Sequence, residues 1–148
     1  MGKKIGRKWR LSDTQPQHGK IVLITGANTG IGFEMAMEFA GKGAEVVLAC
    51  RNQTKATNAL ERIRARHPEA IVRTLDLDLA NLNAVKQAAD EFIASTPHLD
   101  VLINNAGVMI PPKSTTADGF ELQVGTNHLG HFAFTAHLLP PVSYTHLT

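Results

Sequence analysis

Ile21-Val22-Leu23-Ile24, followed without a break by Thr25-Gly26-Ala27-Asn28-Thr29-Gly30-Ile31-Gly32, joins a short apolar run to a glycine-rich loop. A continuous apolar run with β-branched residues reads as a strand buried on both faces. The residues after Gly30 read as a helix, so the loop sits where a strand hands over to a helix. In an open α/β sheet that is where ligands bind, beyond the carboxyl end of a strand. The glycines suit such a site. Gly26 allows a tight turn, Gly30 lets the backbone come close to a pyrophosphate, and Gly32 brings helix and strand together. Free N–H groups at the helix start then face the phosphate charge. Thr25, Asn28 and Thr29 can pin the loop through side-chain hydrogen bonds.

The spacing is G-x-x-x-G-x-G rather than the G-x-G-x-x-G dinucleotide fingerprint. On the glycines alone a ligand-free structural turn stays open; the strand–loop–helix context argues against it. No Lys-Ser/Thr pair follows the glycines, which disfavours a mononucleotide P-loop.

Outward from the loop, strands and helices alternate. The first helix runs from Gly30 to about Lys42, with Ile31, Met35, Phe39 and Ala40 on one face and Gly41 and Gly43 as its stop. Glu45 to Cys50 is a second strand. Lys55 to Arg66 is a second helix with Ala56, Ala59, Leu60 and Ile63 on its apolar side and Pro68 just beyond. Ile71 to Leu77 contains a third strand. Leu82, Val85, Ala89 and Phe92 mark a third helix ending near Pro97, and Val101-Leu102-Ile103 is a fourth strand. Residues 111–116 form a loop, and a last helix covers Phe120 to Leu139, closed by Pro140-Pro141. Four strand–helix alternations predict an α/β fold: a Rossmann-type, doubly wound parallel sheet in three α/β/α layers with right-handed crossovers, incomplete at its C-terminus. The expected organisation is a basic polar extension over 1–19, a nucleotide-binding domain over 20–141, and an atypical tail over 142–148.

The residues after the second strand bear on which nucleotide fits. A site selective for NAD(H) usually places a carboxylate there to bond the ribose hydroxyls. Here Cys50-Arg51-Asn52 stands instead, and Arg51 can pair with a 2′-phosphate, although a solvated arginine opening a loop is the plain alternative. This favours NADP(H) over NAD(H). Asp76 and Asp78 end the third strand; one can point to an adenine ring while the other caps the helix starting near Asn81. Asn104-Asn105-Ala106-Gly107 can close the floor of a cofactor cleft or form a plain turn.

Composition sets outer bounds. The 148 residues are 43% hydrophobic and 19% charged, which is ordinary globular material for one core. A net charge of +2 gives little reason for a nucleic-acid partner. Lys3, Lys4, Arg7, Lys8 and Arg10 crowd the first ten residues, where a solvated terminus is the expected reading and RNA or an anionic membrane the alternative; Trp9 among them can fold back over the domain edge. Cys50 is the single cysteine, so no internal disulfide forms, and it closes an apolar run as a buried thiol. No stretch approaches the roughly 18 apolar residues of a membrane helix, and no signal-like segment is evident. The expected location is cytoplasmic. His128 and His131 are three apart but lack a third ligand nearby, so no metal is expected.

Together Thr25 to Gly32, Arg51, Leu77-Asp78-Leu79 and Asn104-Asn105-Ala106-Gly107 resemble the short-chain dehydrogenase/reductase family. Thr126-Asn127-His128-Leu129-Gly130-His131-Phe132 is similar to a segment of its retinol dehydrogenase and protochlorophyllide reductase branch, and the likeness covers about residues 9–141. The resemblance implies that Thr25, Gly26, Asn28, Thr29, Gly30, Ile31 and Gly32 hold a pyrophosphate. It implies that Arg51, with Asn52 beside it, meets a 2′-phosphate, and that Asp78, rather than Asp76, and Leu79 lie on the adenine side. Asn105, Ala106 and Gly107 would stabilise the central strand beside the cofactor. Asn127 matches the family's catalytic asparagine, which bends its helix and holds a water in a proton relay; from the residues alone an ordinary hydrogen-bonded asparagine is the equal alternative.

The family's chemistry also uses a serine, a tyrosine as acid/base and a lysine four residues later. Ser143 and Tyr144 do not fit that pattern: they are adjacent, and Thr148 occupies the lysine's place. The expected parent is therefore a longer oxidoreductase acting on a small alcohol or carbonyl compound, with an apolar or retinol-like substrate as one option and a homo-oligomer left open. The tail reads as truncation or foreign sequence, and the shortened sheet is expected to expose an apolar edge. The main competing reading is a non-catalytic nucleotide-binding or regulatory module. A sugar-nucleotide epimerase or methyltransferase fits the glycine spacing and the Asn-Asn-Ala-Gly run less well.

Overall fold

A computed structural model describes residues 10–146, with side chains as far as Pro140. The expectations for Trp9, for the basic cluster before it and for Ser143, Tyr144 and Thr148 lie outside the described residues and side chains. The elements run in chain order: a 3-10 turn (Leu11–Asp13), β1 (Ile21–Thr25), α1 (Gly30–Gly41), β2 (Glu45–Cys50), α2 (Gln53–Arg66), β3 (Val72–Asp76), α3 (Leu82–Ser95), β4 (Val101–Ile103), α4 (Leu122–Val124), a π-helical segment (Gly125–Gly130) and α5 (His131–His146). The strands form one parallel sheet in the order β3-β2-β1-β4. This is the Rossmann-type three-layer arrangement expected from the alternation.

The apolar continuity of β1 follows from its position. Ile21 and Leu23 face one side and pack with Val85, Ala89 and Phe92 of α3 and Phe134 and Leu138 of α5. Val22 and Ile24 face the other and pack with Phe33, Ala36 and Ala40 of α1 and Ala56, Ala59 and Ile63 of α2. Because side chains alternate along a strand, burial on both faces keeps every position from Ile21 to Ile24 apolar. Phe92 and Phe134 are fully enclosed; truncating either to alanine costs about 3–5 kcal/mol. At the other edge of β1, all three residues of β4 are only half-buried, and no further strand pairs with β4 among the described residues.

The start of the sheet is fixed by Asp100. Its carboxylate accepts the Ile21 N–H at 2.8 Å and the Lys20 ammonium at 3.1 Å, with His98 Nε2 at 3.0 Å. Burial pushes this carboxyl up, but the Ile21 N–H, Lys20 and His98 together hold it below the usual aspartate value.

Several expectations need correction. Ile31 does not join the buried face of α1; it is 75% exposed, and Phe33, Ala36 and Ala40 form that face. Ile31 lies in the first turn, at the open end of the sheet, so hydrophobicity alone assigned it to the wrong side. Neither Asp76 nor Asp78 caps α3. Asn81 does so, accepting from the Asn83 and Ala84 N–H groups, while Asp78 accepts from Ala80 N–H. The last helix starts at Leu122 rather than Phe120, because the Glu121 carboxylate caps it through the Gln123 and Val124 N–H groups. Those two N–H groups hold the Glu121 carboxyl below its usual value. Nor does Pro140-Pro141 end the helix, which continues to His146. Proline removes a donor and crowds the preceding turn, but its fixed φ is itself helical, so it weakens a helix without always stopping it.

Candidate functional site

Between the C-terminal ends of β1, β2, β3 and β4 lies an open cleft of about 440 Å³. It is lined by Gly26, Asn28 and Thr29 from the first loop, Ala49 to Asn52 and Lys55 from β2 and α2, Leu77 to Leu79 after β3, Asn105 to Val108 after β4, and Thr126. The order β3-β2-β1-β4 places it at the reversal of strand order, where chains leaving β1's two neighbours diverge.

Local sequence explains the shape of the floor. Gly26 has φ +67°, and a Cβ there would stand 2.8 Å from the Ala106 Cα, so both the turn and the contact with the β4 loop demand glycine. Gly32, in the first turn of α1, is pressed against the Gly26 carbonyl, the Ala27 Cα and the Asn105 amide. Asn105 Nδ2 donates to the Thr25 carbonyl at 2.9 Å. The Thr25 hydroxyl, itself fully buried, accepts the N–H groups of Asn105 and Ala106, both at 2.9 Å. Gly30 is different: φ is +59°, and nothing lies within 4 Å of where a side chain would begin. Space is thus open beside the first residue of α1.

Ten of the expected cofactor residues therefore line one cavity: Gly26, Asn28, Thr29, Arg51, Asn52, Asp78, Leu79, Asn105, Ala106 and Gly107. Thr25 lies beneath its floor. Gly30, Ile31 and Gly32 form the first turn of α1 and are not among its lining residues. Arg51 and Lys55 are exposed cations at the β2 side. Asn52 caps α2 by accepting the Lys55 N–H at 2.9 Å. Asp78 is the one carboxylate among the described lining residues; Asp76 is at the end of β3, within 3.5 Å of Gln53 Nε2. Cys50 is buried beside the loop, and burial pushes its thiol up against the opposing influence of the Ala27 and Asn28 N–H groups.

Asn127 stands in the π-helical segment beside Thr126; it is not itself among the cleft's lining residues. Its side chain grips the backbone of Val108 twice: Oδ1 accepts the Val108 N–H and Nδ2 donates to the Val108 carbonyl, each at 2.8 Å. The next residues, Met109 and Ile110, are 85% and 86% exposed, and Ile110 has φ +49° while its N–H is held by Gln123 Oε1 at 2.9 Å. A β-branched residue in that region is strained by about 1–3 kcal/mol, the kind of cost found at functional loops.

Some cleft residues escaped the sequence reading. Lys55 stands in the first turn of α2, which begins at Gln53 rather than at Lys55, and lines the cleft together with Arg51. Thr126 has a buried hydroxyl with no hydrogen-bond partner among the described residues. Nothing in the local pattern distinguishes it from core. His128 is exposed, while His131 is buried and bonded to Thr25, so the two do not share an environment.

A family model described as short chain dehydrogenase matches residues 20–145. An uncharacterized oxidoreductase of Schizosaccharomyces pombe is 44% identical over 93% of this chain and 41% of its own length. Human retinol dehydrogenase 12 is 50% identical over 82% of this chain and 38% of its own. The chain thus spans about two fifths of the length of these curated relatives. Among solved structures, an uncharacterized protein of Mycobacterium paratuberculosis superposes with TM-score 0.79 at 44% identity, covering 90% of this chain and 47% of that one. A short chain dehydrogenase from Shigella flexneri, complexed with NADP, superposes with TM-score 0.72 at 30% identity, covering 86% and 56%.

Proposed function

The chain belongs to the short-chain dehydrogenase family, and on that premise we propose that it is the nucleotide-binding part of an NADP(H)-dependent oxidoreductase interconverting an alcohol and a ketone. The observation that carries this reading is the cleft itself: an open helix start at Gly30, a floor that demands glycine at Gly26 and Gly32, and cations rather than a carboxylate at the end of β2.

These residues fit a dinucleotide. The space left at Gly30 admits a diphosphate against the first N–H groups of α1, where the helix dipole favours negative charge. Arg51, with Lys55 in the first turn of α2, would hold the 2′-phosphate through charge-assisted hydrogen bonds. Asp78 and Leu79 would flank the adenine. Asn105, Ala106 and Gly107 would wall the ribose and nicotinamide half, and Asn127 would fix the loop that faces the substrate. The nicotinamide, when bound, supplies hydride chemistry; this chain's own residues bind and orient it. Similarity to a structure complexed with NADP supports the choice of nucleotide.

The substrate is proposed to be an apolar, retinol-like alcohol or its carbonyl counterpart. Met109 and Ile110 present bare apolar surface next to the Asn127 clamp, and the relatives include retinol dehydrogenases at 50% identity. A reducing, cytoplasmic setting is proposed with it, supported by a single buried thiol. No helix among the described residues is long and apolar enough to cross a membrane.

The test is binding rather than turnover, because the sequence carries no tyrosine followed four residues later by lysine. Calorimetric titration of the chain should show NADPH binding at least about tenfold tighter than NADH, the worth of one charge-assisted contact. Equal affinities overturn the choice of NADP(H). Failure to bind either nucleotide overturns the functional reading.

A further inference from the structure

We propose that His131 is a positioning residue: its imidazole ties the Thr25 hydroxyl under the cleft floor to the peptide carbonyl of Asn127, joining the glycine loop to the π-helical segment. The inference rests on the proposed nucleotide cleft for its consequence but not for its geometry.

Two distances define the link. His131 Nδ1 lies 2.9 Å from the Asn127 carbonyl oxygen, and Nε2 lies 2.9 Å from Thr25 Oγ1. A carbonyl oxygen can only accept, so Nδ1 must carry the hydrogen. In a neutral ring Nε2 is then a lone-pair acceptor, and the Thr25 hydroxyl must donate to it. That direction is confirmed from the other end. The Thr25 oxygen already receives the Asn105 and Ala106 N–H groups, which occupy its two lone pairs, and its one hydrogen is left for His131. Every member of the set is satisfied in a single arrangement. A hydrogen on Nε2 would point a third donor at an oxygen with two lone pairs and force one backbone N–H off. Burial also disfavours the charged ring, holding its pKa below the ordinary histidine value despite the Asn127 carbonyl.

The consequence is mechanical. Without the acceptor at Nε2, the nearest alternative for the Thr25 hydrogen is the Ile103 carbonyl at 3.5 Å, a poor bond. Turning toward it swings the hydroxyl's lone pairs away from the two N–H groups that hold Asn105 and Ala106 against the loop. The Asn127 carbonyl loses its ring partner at the same time. One side chain, 106 residues from Thr25 in sequence, thereby ties the cleft floor to the π-helical segment that carries Asn127.

Nitrogen and carbon NMR of the His131 ring in the unaltered chain, at neutral pH, tests the geometry directly. The expected signature is a neutral ring protonated on Nδ1; protonation on Nε2 overturns the proposal whatever the nucleotide does. NADPH titration tests the consequence. His131→Phe and Thr25→Val should each weaken binding by about tenfold or more, and the loss in the double variant should fall clearly short of the product of the two single losses, because the Thr25–His131 bond is common to both. Thr25→Ser, which keeps the hydroxyl, should recover most of the affinity. Losses that multiply in the double variant, or no recovery with serine, refute the link. An unaltered chain that binds no nucleotide but shows the Nδ1–H ring refutes the functional reading and leaves the hydrogen-bond link standing.

Discussion

Gly32→Ala isolates the close packing on which the proposed site depends. In an exposed helix interior this change would be favourable by about 1 kcal/mol, because alanine is the better helix former. Here the added methyl would stand 2.7 Å from the Gly26 carbonyl oxygen and 3.1 Å from the Ala27 Cα, and would overlap the Asn105 amide nitrogen. Two of these obstacles are backbone of the loop and cannot rotate aside. Forcing a methyl into such a contact costs about 1–3 kcal/mol. Displacing the Asn105 amide from the Thr25 carbonyl removes a hydrogen bond worth about 1 kcal/mol more. Set against the helix gain, the expected net loss is about 1–3 kcal/mol, which lowers the melting temperature by several degrees for a chain of this size. Because the displaced groups form the cleft floor, NADPH affinity should also fall by at least about tenfold. Thermal and urea unfolding measure the first effect and titration the second. Gly30→Ala is the control for stability alone, since the diphosphate is placed beside it: it meets no protein atoms within 4 Å, so unfolding should read only the cost of its φ of +59°, about 1–2 kcal/mol. If Gly32→Ala is as stable as the unaltered chain and binds as well, the close approach of α1 to the β4 loop is not what the sequence protects.

Arg51→Ala should narrow the preference for NADPH over NADH by about tenfold or more in titration, by loss of a charge-assisted contact; an unchanged ratio removes Arg51 from the 2′-phosphate site. Asp100→Ala should destabilise the chain by about 2 kcal/mol at neutral pH in urea unfolding, since a carboxylate receiving the Ile21 N–H, Lys20 and His98 is lost. Its folded pKa is lowered, so its contribution is complete above the ordinary value of 3.8 and fades as pH falls through the folded value; a gap between the two proteins that persists undiminished to low pH contradicts this. Asn127→Ala should free the Val108 N–H and carbonyl, raising amide hydrogen exchange in residues 107–110 about tenfold while leaving β1 protected. Equal protection in both proteins would mean the clamp is not what orders the loop.

The sheet was legible because its signals are local. The apolar run at 21–24, the glycines and the short run at 101–103 each announce an element within a few residues. The cleft's lining was legible for the same reason, since the chain after each parallel strand arrives at one end of the sheet. What failed needed orientation or distance. Ile31 satisfies a helical period as well as Phe33 does; only the docking of α1 decides between them. Asp78 and Asn81 both suit a cap, and the turn bond from Ala80 N–H to Asp78 settles which one does it. Pro140 and Pro141 carry a true cost to a helix but not a prohibition. His131 was visible only as half of a pair with His128, because its real partner lies at the end of β1.

Thr25 shows why the opening of the cleft and its polar floor have one cause. On the β2 side the ladder continues past β1's end, with Thr25 beside Ala49 and the Gly26 N–H bonded to the Ala49 carbonyl at 2.8 Å. On the β4 side the register stops at Ile24 and Ile103, and the chain turns away. That divergence makes room for a ligand, and it also takes the N–H groups of Asn105 and Ala106 out of the β1 ladder; Asn105 keeps a bond to the Ile103 carbonyl at 3.1 Å, and Ala106 has none from a strand. A buried unpaired N–H costs about 1–3 kcal/mol, so a parallel sheet cannot part at this point without a replacement acceptor. One hydroxyl at the last position of β1 accepts both. Valine in that place would pack equally well but leave the Ala106 N–H without its acceptor and the Asn105 N–H with only the Ile103 carbonyl at 3.1 Å. The requirement for threonine there therefore comes from the parting of the strands, before any nucleotide is considered.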